Sequence, residues 1–147
     1  MREGVGQTFL FTLVALMIGS IMVILIGSMV YSKTYKIKTK IVDIIDRYNG
    51  EIEYARNEIQ DYLTSIGYRK NTNSTQSCPN RGGNVINEYD IYHYCLYEFT
   101  ADSTDNQGKY YGVLVYIYFD IPFISNLLEF PVYGETEVYY TKNYIGG

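Results

Sequence analysis

The chain reads as an α+β protein carried on an N-terminal transmembrane helix. Three observations predict this: an uncharged apolar run from Phe9 to Val30, two amphipathic segments at helical spacing after it, and a C-terminal third in which Tyr, Val, Ile and Phe alternate between turn clusters. A length of 147 residues fits one folded domain plus a membrane anchor and leaves little room for a second independent core. The pattern divides the chain into residues 1–48, a membrane helix and stalk, and residues 49–147, the folded α+β domain.

The run FLFTLVALMIGSIMVILIGSMV holds 22 residues. At ~1.5 Å per residue it crosses the ~30 Å hydrocarbon core with slight tilt. A cleaved secretory signal has a shorter apolar region and a small-x-small site, whereas here Tyr31-Ser32-Lys33 follows directly, so the helix is expected to stay as an anchor. Thr8, Thr12, Ala15, Gly19 and Gly27 recur at steps of three, four or eight and line one helix face with small residues. Such a face lets a second helix approach closely. Ala15, Gly19 and Gly27 are the candidate packing residues.

Past the membrane, Ile37, Ile41, Ile44, Ile45 and Tyr48 keep helical spacing while Lys, Thr, Asp and Arg take the other face. The span is expected to continue as one long helix and to stop at Asn49-Gly50, residues that tolerate the left-handed conformation. A second helix follows, with Ile52, Ala55, Ile59, Tyr62, Leu63 and Ile66 on one face and an end at Gly67. It is expected to cover one face of a sheet. Residues 69–84 are polar, rich in turn formers and without apolar period, and read as a loop tied down by Cys78. Asn73-Ser74-Thr75 within it matches a glycosylation acceptor too common to carry a function.

The strands are expected at Ile91 to Phe99, Lys109 to Phe119 and Val132 to Thr141. ADSTDNQG joins the first two as a hairpin loop, and a segment around Pro122, Leu127, Leu128 and Pro131 joins the second and third. The result is a small antiparallel meander with the second helix packed on it. Its middle strand, YYGVLVYIYF, is almost continuously apolar, which places it centrally with both faces covered.

Charge is unevenly distributed. Lys33, Lys36, Lys38 and Lys40 form a basic block with no acid between Gly4 and Ile41, whereas residues 41–147 hold seven Lys or Arg against fifteen Asp or Glu, a net charge of −8. An acidic domain repels nucleic acid, which excludes that class of partner. The lysine block flanks the span on the domain side, and the charge rule alone would put that side in the cytoplasm. Cys78 and Cys95 have sixteen residues between them. Two cysteines are too few for a four-ligand zinc site and do not form a Cys-x-x-Cys motif. They read as one disulfide, worth roughly 3 kcal/mol on the chain-entropy model, in an oxidising compartment, or as two free thiols in a reducing one.

Catalytic chemistry is not expected. The one imidazole, His93, lies two residues before Cys95 and would share its strand face, but a disulfide would abolish thiolate reactivity. Gly4-Val5-Gly6 opens like a dinucleotide fingerprint yet lacks the third glycine and a preceding strand. Asp102, Asp105 and Asn106 crowd one loop without the spacing of a calcium loop and read as a solvated turn. Glu135 and Glu137 alternate on the last strand and mark its solvent face. Neither a cofactor nor a metal is implied.

An apolar N-terminal helix continuing into a packed stalk, followed by a small disulfide-tied sheet domain, resembles pilin-like proteins. Phe11-Thr12-Leu13-Val14-Ala15 echoes the Phe-Thr-Leu-Ile-Glu of class IV prepilins, with Leu10 in place of the preceding Gly and Ala15 in place of Glu. TadE-like minor pilins or pseudopilins of tight-adherence pilus systems look closer. They often open with a short basic segment, Gly-Gln and an apolar run, as Arg2, Gly6 and Gln7 do here, and often end in strand, Pro-rich link, strand, as in YIYFDIPFISNLLEFPVYGETEVYY. The resemblance implies a single-pass membrane protein with its domain outside the cell. It would be a structural or assembly subunit of a type IV-like (Tad) pilus or secretion system, contacting the lipid bilayer and other pilin-like subunits or the assembly platform through its N-terminal helix. The alternative is a membrane-anchored extracytoplasmic binding module or accessory subunit of another envelope complex.

Overall fold

The computed structural model describes residues 2–71, 77–88, 90–103, 106–117 and 130–140. These form two helices, α1 (Arg2–Arg47) and α2 (Ile52–Ser65), and five strands, β1 (Asn84–Val85), β2 (Tyr94–Ser103), β3 (Asn106–Ile117), β4 (Phe130–Glu135) and β5 (Tyr139–Tyr140). The chain divides into two compact units, Met1–Lys33 and Thr34–Gly147. The fold class is α+β: a long N-terminal apolar helix, a second helix and an antiparallel sheet.

The first unit is helix alone. Phe9, Phe11, Leu16, Val23 and Ile24 are each 69–76% exposed, and nothing in the unit covers them. This helix is long and apolar enough to cross a membrane.

The second unit begins inside α1. Ile37, Ile41, Ile44 and Ile45, one row at helical spacing, are buried together with Ala55, Ile59 and Leu63 of α2 and with Tyr94, Leu96, Tyr111, Val113 and Val115 of β2 and β3. Both helices end in the same way. Gly50 N–H bonds to the Ile45 carbonyl and Asn49 N–H to Asp46, while Tyr68 N–H bonds to Leu63 and Gly67 N–H to Thr64. These are the paired 6→1 and 5→2 bonds of a Schellman turn, with the left-handed residue at Asn49 (φ 51°) and at Gly67 (φ 64°).

The sheet order is β1-β2-β3-β4, all neighbours antiparallel, and β5 also pairs with β3. Side chains alternate faces along a strand, so β2 and β3 send Tyr94, Leu96, Tyr111, Val113 and Val115 to the helices. Cys95, Tyr97 and Leu114 go to the opposite face, where they are buried with Cys78, Val85, Phe99, Tyr116 and Tyr133 around them. The expected helix-covered central strand is therefore β3. Its second cover is the polar segment that carries Cys78.

Several expected boundaries move. β2 starts at Tyr94 rather than Ile91, because the residues before it pair with the segment after α2: Lys70 bridges Tyr92, Asn71 N–H bonds to Ile91 and His93 N–H to Arg69. The β2–β3 ladder runs out to Ser103 and Asn106, taking most of the expected hairpin loop into the strands. Backbone pairing needs no apolar side chains, so polar composition hid it. The expected loop 69–84 likewise holds the first residue of β1, which pairs with the edge of β2. The expected third strand is two, because its register slips: Gly112 pairs with Glu135, but Lys109 pairs with Tyr139, one residue further than an unbroken ladder allows. That extra residue is a bulge. There Thr136 N–H bonds to the Tyr111 carbonyl and the Thr136 hydroxyl accepts from Tyr111 N–H, so side chain stands in for backbone. Pro131, expected in the link, sits in β4 opposite Tyr116, on an edge strand where a missing N–H is tolerated. Asn73-Ser74-Thr75, Asp105, Phe119, Pro122, Leu127, Leu128 and Thr141 lie outside the described residues.

Candidate functional site

Three groups of residues stand out. The first is the small-residue face of α1. Ala15 and Gly19 are exposed and Gly27 is half-buried, and a Cβ built on either glycine meets nothing within 4 Å. At ~100° per residue Ala15 and Gly19 lie within about 40° of each other, while Gly27 turns about 80° away from Gly19. The face is therefore narrowest in its first half. Gly4, Val5, Thr8, Phe9 and Thr12 line a shallow open groove there, in which Gly4 extends the stripe toward the N-terminus. The hydroxyls on this segment satisfy themselves: Thr8 donates to the Gly4 carbonyl, Thr12 to Thr8 and Ser20 to Met17, at 2.8–2.9 Å. A polar group in hydrocarbon is costly unless bonded, and back-bonding to the preceding turn removes that cost without a partner helix.

The second group is the disulfide and what it holds. Cys78 and Cys95 are bonded, their Cα atoms 5.9 Å apart. The Tyr97 hydroxyl donates to the Pro79 carbonyl at 2.7 Å, the Arg81 guanidinium lies 4.6 Å from the Tyr133 ring centre, and Gly83 is close enough to Phe99 that a Cβ would meet its ring at 2.8 Å. Burial pushes the Tyr97 phenol up, with Tyr116 adding to it and Arg81 opposing. Both sulfurs are in the bond, so the His93 and Cys95 pairing is no nucleophile. His93 instead faces Asn71, Nδ1 to Oδ1 2.7 Å, and packs on Tyr116 at 4.5 Å.

The third group was not legible in the sequence. Asp90 is buried between α2 and the sheet. Its Oδ1 accepts from Arg56 at 2.5 Å and from Gln60 at 3.4 Å, and its Oδ2 accepts from the Tyr94 hydroxyl at 2.8 Å. Arg56, Gln60 and Thr64 form a polar row at four-residue steps, one residue on from the apolar row Ala55, Ile59, Leu63. Thr64 completes it through the Tyr92 hydroxyl at 2.6 Å. Asn87, fully buried, donates to the Tyr94 carbonyl and accepts from Leu96 N–H, both at 2.7 Å, so its amide continues the edge of β2 beyond β1. The Tyr94 phenol is pushed far up, first by burial and then by the Asp90 carboxylate. Spacing alone could not assign Asp90 to Arg56, since 34 residues separate them.

Among the described residues no group of three or more His, Cys, Asp or Glu is placed to hold a metal ion. Glu135 and Glu137 are both exposed, and Glu135 accepts from the Tyr133 hydroxyl at 2.8 Å. Comparison with family models, curated proteins and solved structures finds no match.

Proposed function

We propose that the chain is a single-pass, membrane-anchored, TadE-like pilin subunit whose folded unit lies outside the cytoplasm, working by lateral packing of its apolar helix against other such helices. The observation that carries this reading is the division of labour along α1: apolar and uncovered through its first part, core-forming from Ile37 onward. A helix used only as a soluble core element would not leave the large apolar side chains from Phe9 to Met29 exposed, and a cleaved leader would not share a helix with four core isoleucines. The disulfide supports an oxidising location for the folded unit. Stalk residues 34–48, the packed second helix and the meander make up the pilin-like body in this reading.

The test is Gly19→Leu, with protein recovered from detergent-extracted native membranes. A Cβ at Gly19 meets nothing in the folded chain, so the variant keeps the second unit intact while filling the packing face. Loss of co-purifying single-span subunits, with the Cys78–Cys95 bond intact on a non-reducing gel, is the expected result. Unchanged recovery, or a folded unit protected from protease until the inner membrane is permeabilised, would sink the reading in favour of an accessory module.

A further inference from the structure

We infer that Lys36 and Lys40 on one side of α1, and Lys38 beside Tyr35 on the other, hold headgroups of anionic phospholipid on the leaflet that faces the folded unit, an inference that rests on the membrane-anchored reading above. Tyr35 and Lys36 are exposed, and no carboxylate among the described residues pairs with Lys36 or Lys38. Lys36 and Lys40 lie four residues apart, on one side of α1. Lys40 reaches Asp43 at 3.4 Å, an exposed pair that holds it weakly. Lys38 is placed by its surroundings. Its stem lies across β4, where a Cβ on Gly134 would come within 2.5 Å of it, and its ammonium sits 4.2 Å from the centre of the Tyr35 ring. An apolar stem on protein and a charge at an aromatic face is how a lysine reaches a bilayer interface.

The depth along α1 puts the backbone of this segment just outside the headgroup layer, which is about 5–8 Å thick on each side, with the nearer residues within a lysine side chain's length of it. Tyr35 to Lys40 begins five residues after Val30, the last residue of the apolar run. At ~1.5 Å per residue it lies about 8–15 Å beyond the hydrocarbon edge. The Cα–Cβ bonds of a helix lean toward its N-terminus, which sets Lys36 and Lys38 to reach back toward the membrane, and Lys40 once it leaves Asp43. Lysine is a compact point charge, fitted to a mobile phosphate rather than a fixed bidentate partner.

Charge selects the lipid. Residues 41–147 carry −8, and an anionic surface repels them within a Debye length of about 8 Å. The lysines reverse that sign where the folded unit joins the apolar run in sequence. They would then be retained for the lipid they hold, which accounts for a basic flank on the side opposite to that set by the charge rule.

The full chain is reconstituted into vesicles of phosphatidylcholine and phosphatidylglycerol in equal amounts, extracted in a neutral detergent, and its retained lipid counted by mass spectrometry. The wild type is expected to retain phosphatidylglycerol preferentially, and the preference to fall up to roughly fivefold per lysine removed in Lys36→Gln and Lys36→Gln/Lys40→Gln. High salt should abolish it, and Lys36→Arg/Lys40→Arg should keep it. Equal retention of both lipids by the wild type, or an undiminished preference in the double glutamine variant, overturns the headgroup site while leaving the anchor in place. A chain that never enters the vesicles overturns both.

Discussion

The face of the sheet beneath the helices and the face beneath the Cys78 segment are built from alternate residues of the same two strands, yet different forces close them. Under the helices, Ile41, Ile44, Ile45, Ala55, Ile59, Leu63, Tyr94, Leu96, Val113 and Val115 are all at 0% exposure, and burial of apolar surface is sufficient to hold the layers. On the other face, among the described residues, only Cys95, Tyr97 and Leu114 reach that state, and the cover carrying Cys78 is a polar segment with no apolar period. Such a segment gains little from burial. It is held instead by a covalent bond, by one phenol to the Pro79 carbonyl, by the Arg81 stack on Tyr133 and by the short β1 pairing. Where a covering segment cannot bury enough to offset its own ordering entropy, a cross-link lowers the entropy of the open states instead.

Breaking the helix-covered face should cost most. Ile44→Ala leaves a cavity among α1, α2 and the sheet, and about 4 kcal/mol of stability should be lost, read by denaturant unfolding of the full chain in detergent micelles. A loss below about 1 kcal/mol would mean that the helices are not packed as described. The Cys78→Ala/Cys95→Ala pair should cost roughly 3 kcal/mol, with amide exchange rising first across residues 77–87 while α2 stays protected. Uniform acceleration over both faces would erase the distinction between them.

The smallest effect concerns pH and separates the faces by tyrosine. The Tyr94, Tyr133 and Tyr139 phenols are all pushed well above their ordinary value, each first by burial, then by Asp90, Glu135 and Asp46 respectively. A raised phenol favours the protonated folded state. The stability it contributes is complete below the unfolded value of about 10 and is lost as pH rises from there through the folded value. With eighteen tyrosines and no tryptophan, phenolate absorbance reports this without interference. The Tyr94, Tyr133 and Tyr139 phenols should ionise only as the unit unfolds. Tyr94→Phe, which removes one bond to Asp90, should cost about 1 kcal/mol at neutral pH and shallow the alkaline loss. Full titration near pH 10 in the folded state would contradict the burial of these rings.

The two faces also differ in how far they could be foreseen. The helix-covered face follows from local rules: Ile37 to Ile45 and Ala55 to Leu63 recur at helical spacing, and Asn49, Gly50 and Gly67 mark the stops. Gly50 shows the limit of that view, because its place is also set by Tyr139. A Cβ there would meet that ring at 2.7 Å, and the Tyr139 hydroxyl donates to Asp46. The other face was partly foreseen, as a loop tied by Cys78, but not as a cover with its own strand. Polar composition conceals backbone pairing, so Asn84, Ser103 and Asn106 read as loop.

The apolar run, the order of the two helices and of the three main strand segments, the cysteine pair and the charge asymmetry were determined by sequence alone, because each depends on residues a few positions apart or on composition. Tertiary structure decided which segment covers the second face, that Asp90 meets Arg56 and Tyr94, and that Thr136 breaks the last strand into two. Each of these depends on a partner 4 to 34 residues away whose selection reflects burial and hydrogen-bond satisfaction across the whole unit. Periodicity carries no record of such a choice.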